Sequence, residues 1–371
     1  MNVQTAMTRS PQTYRDEASA LDARILSAIA AFALDEPDFE RLACDIFAHQ
    51  FRWNEPYAAY ARARGVTAET LPTRAIDIPA VPAAAFKEAH LATSADVAAW
   101  FETSGTTVGV GGRHYLESTA LYDAALLAAF DRALLADGVR LRYLLLVPDV
   151  RERPHSSLGY MMDRVAGERG DGKDGRFVQG DAFDFDGFMG AARAALVDRV
   201  PVCIAATAFS LLTLCDELAL RDLVLELPIG SRIMETGGFK GRTRVVERAE
   251  LYAHAVDRLG IPPSAIVAEY GMTELCSQYY DSNASRRTLD RRKVAPPWLR
   301  PIVVDPSGAP VPAGIVGAIR HIDCANRSSV VAIETEDLGA LMPGGLVLIG
   351  RERGAELRGC SLDAEDLAAR S

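Results

Sequence analysis

Lysine is almost missing from this sequence. Lys87, Lys173, Lys240 and Lys293 are all it has among 40 basic residues, and arginine makes up the rest. No lysine stands in a G-x-x-x-x-G-K-[ST] setting, so the common phosphate loop is excluded. Any apolar run of about eighteen residues is also missing, and no membrane-crossing helix is expected. The first residues carry no apolar stretch and no small-residue cleavage site, so the chain reads as cytoplasmic rather than secreted. Its six cysteines, Cys44, Cys203, Cys215, Cys276, Cys324 and Cys360, form no C-x-x-C pair and no zinc-ligand spacing. Free thiols in a reducing compartment are the expectation. There is no G-x-S-x-G elbow and no H-E-x-x-H helix, which sets aside esterase and zinc-protease chemistry.

The net charge is −10 and the arginines are dispersed. The densest basic cluster, Arg286, Arg287, Arg291, Arg292 and Lys293, has no interleaved aromatics. It reads as a solvated face rather than a nucleic-acid surface.

What the sequence does have is alternation. Residues 17–64 carry apolar side chains at three- and four-residue spacing, as in FERLACDIFAHQFRW, which predicts helices. Pro72, Pro79 and Pro82 then break any continuous helix. A long amphipathic stretch, ALYDAALLAAFDRALLADG, predicts a helix ending by Gly138. RLRYLLLVPD and VPVCIAATAF have the short, apolar look of buried parallel strands, with helical stretches between them. After Pro296 the texture turns to short β-type runs: LRPIVVD, GIVGAIRHID, VVAIETEDLGAL and GLVLIG. An α/β protein with a β-rich antiparallel end is the expected class.

The candidate chemistry starts at residues 103–112, TSGTTVGVGG. Ser104, Thr106 and Thr107 offer hydroxyls, and Gly105 and Gly109 let backbone amides turn toward an anion. Alone, such a loop is either a phosphate clamp or a surface turn. Three further motifs follow it in order: EYGMTE at 269–274, TEDLGAL at 335–341 and a glycine–arginine pair at 350–351.

That order resembles the adenylate-forming superfamily of acyl-CoA synthetases, adenylation domains and firefly-type luciferases. With IPAVPAAAFKEAH, METGGFKGR and GRERGAELRGCSL added, the chain resembles more narrowly the acyl-protein synthetase (LuxE) family, from about residue 76 to 362. The resemblance implies layered mixed sheets of the adenylate-forming N-terminal domain. It divides the chain into a helical segment (1–75), a core (76–350) and a short tail (351–371) carrying Cys360.

It also implies roles. Ser104, Gly105, Thr106 and Thr107 would grip the β- and γ-phosphates of ATP. Gly237 and Gly238 would let the backbone approach the adenine, with Glu269, Tyr270, Gly271 and Met272 lining the nucleotide and Tyr270 beside the ring. Thr273 would contact the α-phosphate and Glu274 a magnesium ion. Asp337 would accept the ribose hydroxyls, with Arg351 nearby. Each has a plainer rival: a Tyr or Thr in an apolar run packs, and Asp337 near Gly339 makes a turn.

Two departures from the pattern stand out. The loop lacks the superfamily's lysine, with Arg113 or His114 as possible stand-ins that are not equivalent to it. About twenty residues follow Gly350, too few for the superfamily's small lid domain with its catalytic lysine. In the LuxE family a cysteine near the C-terminus receives the acyl group, and Cys360 matches that place, with Arg353 and Arg358 near it in sequence; the alternative is a spectator thiol. The expected function is ATP- and magnesium-dependent activation of a carboxylic acid, a fatty acid foremost, and transfer to a protein thiol, with a reductase or carrier protein as the expected acceptor. The alternatives are a non-catalytic nucleotide-binding subunit, or an enzyme loading an aryl or other acid onto a carrier protein or coenzyme A.

Overall fold

The computed structural model describes residues 10–103, 111–180, 182–237, 246–282 and 291–351. Three helices come first: α1 (Pro11–Ala31), α2 (Glu36–Trp53) and α3 (Glu55–Ala63). Ser10, Asp35 and Asn54 cap them by accepting from the backbone N–H three residues on, and a proline follows each cap. That pairing satisfies a free amide and wastes none, since proline has no N–H to leave unpaired. In α2 the buried residues Phe39, Leu42, Ala43, Ile46 and Phe47 keep the helical spacing and make one apolar face.

Next come β1 (Val81–Pro82), the hairpin strands β2 (Ala99–Glu102) and β3 (Arg113–Leu116), and α4 (Ala120–Leu134). The α/β half follows: β4 (Arg142–Leu146), α5 (Ser157–Arg169), β5 (Gly175–Arg176), β6 (Val178–Gln179), β7 (Ala182–Phe183), α6 (Phe185–Asp198), β8 (Val202–Thr207), α7 (Ala208–Leu220), β9 (Arg232–Thr236), α8 (Arg248–Leu259) and β10 (Ile266–Tyr270). The β-rich end holds β11 (Tyr279–Asp281), β12 (Lys293–Val294), β13 (Leu299–Val304), β14 (Gly317–Asp323), β15 (Ala332–Met342) and β16 (Gly345–Arg351).

One twelve-stranded sheet joins both halves, in the order β13-β14-β15-β16-β12-β11-β10-β9-β8-β4-β5, with β1 beside β15. β5, β4, β8, β9 and β10 run parallel, and from β11 onward the order is antiparallel. The expected antiparallel end therefore continues the parallel sheet edge to edge.

Strand alternation sorts the core. On β4, Leu144 and Leu146 face α6, α7 and α8, while Tyr143 and Leu145 face the core that α1, α2, α4 and α5 cover. β4 and β8 are buried on both faces, which is why residues 143–146 and 202–206 are apolar in succession rather than alternating.

The basic cluster departs from its expectation. Lys293 is 3% exposed and donates to Asp281 (2.8 Å) and to the Ala268 carbonyl (2.7 Å). Arg291 donates to the same carboxylate at 2.8 Å, so these residues pin β10, β11 and β12 together instead of facing water. Burial pushes the Asp281 carboxyl up and Lys293 down. The two cations outweigh burial at Asp281, which lies below the usual carboxylate range. Arg286 and Arg287 lie outside the described residues.

Candidate active site

The strand ends make the site. Across the parallel strands Thr207 is opposite Thr236, and Thr236 is opposite Glu269, so β8, β9 and β10 finish level with one another. Ligands of open α/β sheets bind in the crevice beyond such ends. Gly237 leaves β9 there with φ +74°, a left-handed turn that a side chain would strain. Gly238 lies outside the described residues.

Glu269 faces inward. Its carboxylate accepts from the Thr236 hydroxyl, and its Oε1 would lie 2.5 Å from any Cβ added to Gly271. A side chain at 271 would therefore need the Glu269 carboxylate to shift. Burial raises the Glu269 carboxyl to about 7, with the Thr236 hydroxyl acting against the shift. Tyr270 emerges half-buried and donates its hydroxyl to Asp337 on β15 at 2.8 Å. The residues the resemblance assigned to the adenine and the ribose therefore touch each other directly. Beneath Tyr270 lies His321, which is fully buried and hydrogen-bonded to the Tyr279 hydroxyl at 2.7 Å. Burial lowers His321 to about 4. The backbone of Arg351 pairs with that of Asp337 across β15 and β16.

Beyond Met272 the turn carries Thr273 and Glu274, the latter 7% exposed. Their carbonyls are held from two directions. The Nδ1 of His114 on β3 donates to the Thr273 carbonyl at 2.9 Å, and the Nδ2 of Asn326 donates to the Glu274 carbonyl at 2.9 Å. Asn326 belongs to a buried polar run, 323–329, that leaves β14. Gln50 of α2 donates to the carbonyls of Asn326 (2.7 Å) and Arg327 (3.0 Å), and accepts from the Val331 amide. Arg327 reaches Asp22 and Glu117, both at 2.7 Å. The N-terminal helices thus fix the loop that fixes the turn. On its other side, Asp323 accepts from the Cys276 amide (2.9 Å) and the Ser277 hydroxyl (2.7 Å). Burial raises the Asp323 carboxyl to about 6 against those contacts.

Ser104, Gly105, Thr106 and Thr107 lie outside the described residues, but the ends of their loop do not. Thr103 N–H donates to the Gly112 carbonyl at 2.9 Å, and the Gly112 amide donates back to the Thr103 hydroxyl at 2.8 Å. The two stand-ins for the missing lysine are otherwise engaged: Arg113 pairs with Glu102 at 2.9 Å, and His114 is fully buried. An actual lysine stands close by. A Cβ on Gly112 would meet the Lys87 Cγ at 3.3 Å, so the stem of Lys87 lies along the neck of the loop and its residue is exposed. Linear sequence put it well upstream, and only the fold brings it back.

Among the described residues, no group of three His, Cys, Asp or Glu side chains is gathered to hold a metal. Glu274 is a carboxylate, the hard oxygen donor type that magnesium takes. All five described cysteines are held toward the thiol form. Burial raises Cys44 to about 11 and Cys203 and Cys215 to about 12, and pushes Cys276 and Cys324 well above the ordinary thiol value. Cys360 lies outside the described residues. His155 stacks on Trp100 at 4.0 Å, while Ser156 caps α5.

Asn326, Thr236 and Gln50 were not singled out from sequence. The one available signal was the polar run DCANRSS between two strand-like stretches, which reads as surface loop until the helices are seen to cover it.

No curated protein matches the chain. Solved structures do. An A-PCP, McyG, complexed with phenylalanyl-adenylate matches at TM-score 0.51 and 18% identity, over 70% of this chain and 41% of that one. ATP-bound MatB from Rhodopseudomonas palustris matches at 0.49 and 17%, over 70% and 49%. The O-succinylbenzoate coenzyme A synthetase MenE from Bacillus subtilis, in complex with AMP, matches at 0.47 and 19%, over 70% and 50%. The chain thus spans half or less of the length of each, and the likeness is one of fold: the α/β architecture of adenylate-forming enzyme domains. Among the described residues, no helix is long and apolar enough to cross a membrane. Residues 180–367, just over half of the 371, match the family described as acyl-protein synthetase, LuxE, and the chain belongs to that family.

Proposed function

We propose that this chain activates a carboxylic acid with ATP and passes the acyl group to a protein thiol. The observation that carries the reading is the turn 271–274 at the level ends of β8, β9 and β10. It follows Tyr270, which reaches Asp337, and carries Thr273 and Glu274, in a chain of this family. In the first step a carboxylate oxygen of the acid attacks the α-phosphorus. An oxygen–phosphorus bond forms, the α–β bridging bond breaks, and acyl-AMP and pyrophosphate result. Thr273 binds and orients the α-phosphate, while Asp337, steadied by Tyr270, orients the ribose. Ser104, Thr106 and Thr107 donate to the departing phosphates. Lys87, at the neck of their loop, supplies the positive charge the loop itself lacks. Magnesium, held by Glu274, would supply neutralisation of phosphate charge.

In the second step the thiolate attacks the acyl carbon. The carbon–sulfur bond forms, the bond to AMP breaks, and the thiol proton leaves to solvent. The burial of Cys203, Cys215, Cys276 and Cys324, and the raised thiol of half-buried Cys44, favour Cys360 as the acceptor in this chain. A partner protein's thiol would take the acyl group from it. A fatty acid is the substrate class that the family membership favours.

The reading is tested by incubating the protein with ATP, magnesium and a panel of aliphatic and aromatic acids, then weighing the intact chain. An adduct of one acyl group, absent in Cys360→Ser and removed by hydroxylamine, is the expected result. An adduct that survives the Cys360→Ser change would contradict the assignment of the thiol. Absence of any adduct alongside ATP binding would favour a nucleotide-binding subunit.

A further inference from the structure

We propose that His114 and Asn326 are positioning residues for acid activation, holding the Thr273–Glu274 turn from both sides without touching substrate. The inference rests on the adenylation reading above. The geometry is a closed chain of contacts. His114 Nδ1 donates to the Thr273 carbonyl at 2.9 Å, and His114 Nε2 stands 3.0 Å from the Asn326 Oδ1; both oxygens only accept, so the neutral ring that burial favours donates to the Thr273 carbonyl alone. Asn326 Nδ2 then meets the Glu274 carbonyl at 2.9 Å. Two successive backbone carbonyls of one turn are thereby fixed by two fully buried side chains.

The placement explains why this matters. His114 lies on β3, two residues beyond Gly112, where the hydroxyl loop closes. Asn326 lies in the run that Gln50 and Arg327 lock to the N-terminal helices. The turn offering the phosphate and magnesium contacts is therefore registered to the loop on one side and to the helices on the other. Side chains that orient ligating groups commonly change activity by about 10- to 100-fold when removed, and a shift of about 1 Å in a catalytic group has a similar effect.

Packing alone would also bury a histidine here, and Phe86 does meet its ring edge-on at 5.9 Å. The two accounts predict opposite orders for two variants. His114→Phe keeps the volume and loses the Nδ1 hydrogen bond to the Thr273 carbonyl. His114→Asn loses volume but can place an amide donor where Nδ1 stands. Wild type and both variants are compared by thermal melting, by equilibrium binding of magnesium–ATP, and by acid-dependent ATP–pyrophosphate exchange.

The expected result is a roughly 10- to 100-fold lower kcat for His114→Phe, with ATP affinity within about threefold of wild type, and His114→Asn within about fivefold of wild type in kcat. If His114→Asn is hurt as much as His114→Phe, or if neither changes kcat, the positioning role is refuted. Should His114→Phe fail to fold, Asn326→Ala decides: lost kcat with retained ATP binding supports the role, and wild-type kcat overturns it. No exchange by the wild type refutes the adenylation reading and this inference together, whereas active wild type with unaffected variants refutes only the latter.

Discussion

Glu269 is the residue whose environment departs most from what its sequence setting suggests. It stands at the end of a strand, where a carboxylate usually meets water or a ligand, yet it is 7% exposed with Thr236 as its hydrogen-bond partner. Its carboxyl, raised from 4.5 to about 7, keeps its proton in the folded protein across a pH window in which the unfolded chain has released it. Its contribution to stability therefore falls as pH rises from about 4.5 to about 7. Glu269→Gln removes that loss. Denaturant unfolding of both proteins at pH 4.5 and pH 8 should show the variant gaining about 1–3 kcal/mol over wild type at the higher pH only. An equal difference at both values would mean that the carboxyl is not protonated in the fold. At Lys87 the expectation is kinetic. Lys87→Met should raise the KM for ATP in exchange by about 3- to 10-fold with unchanged melting, because the ammonium acts on phosphate charge and not on folding. An unaltered KM would return the missing cation to the list of open roles.

Among the elements, the loop from Asp323 to Val331 links stability to the site. Gln50 uses both ends of its amide on three backbone groups of this loop. Gln50→Leu would leave those buried groups unpaired, at a cost of about 2–4 kcal/mol. Because the same loop carries Asn326, the surviving folded protein should also show a lowered exchange kcat. Stability loss with full kcat would show that the loop and the turn are independent. The Lys293–Asp281–Arg291 cluster makes a contrasting case, since it joins strands behind the turn. Lys293→Met should destabilise by about 3 kcal/mol, measured by denaturant unfolding, through the buried carboxylate it leaves short of charge. These elements also show where the sequence was readable. The helices of residues 17–64 and the buried strands declared themselves through spacing and apolar runs, because those patterns follow from burial of one face or both. Lys293 and Asn326 did not. Whether a polar residue is solvated or buried depends on what covers it, and the covers here are a strand and a helix remote in the chain.

At the scale of the whole molecule, the sheet is the organising fact. Its parallel half ends level at Thr207, Thr236 and Glu269, and its antiparallel half brings Asp337 to Tyr270. The sequence showed both halves and the order of the motifs, and it pointed to the family that residues 180–367 match. It did not show that the β-rich end would continue the parallel sheet, since strand order depends on pairings between segments far apart. Nor did it show Lys87 beside Gly112, a neighbourhood made only when the segment before β2 packs against β3. The central claim is that this fold activates a carboxylic acid. The most direct measurement is exchange of labelled pyrophosphate into ATP by the wild-type chain, with and without each of a panel of acids. Exchange that appears only with an acid, and falls by about 100-fold or more in Thr273→Ala, is the predicted result. ATP binding without exchange, whatever the acid, would contradict it.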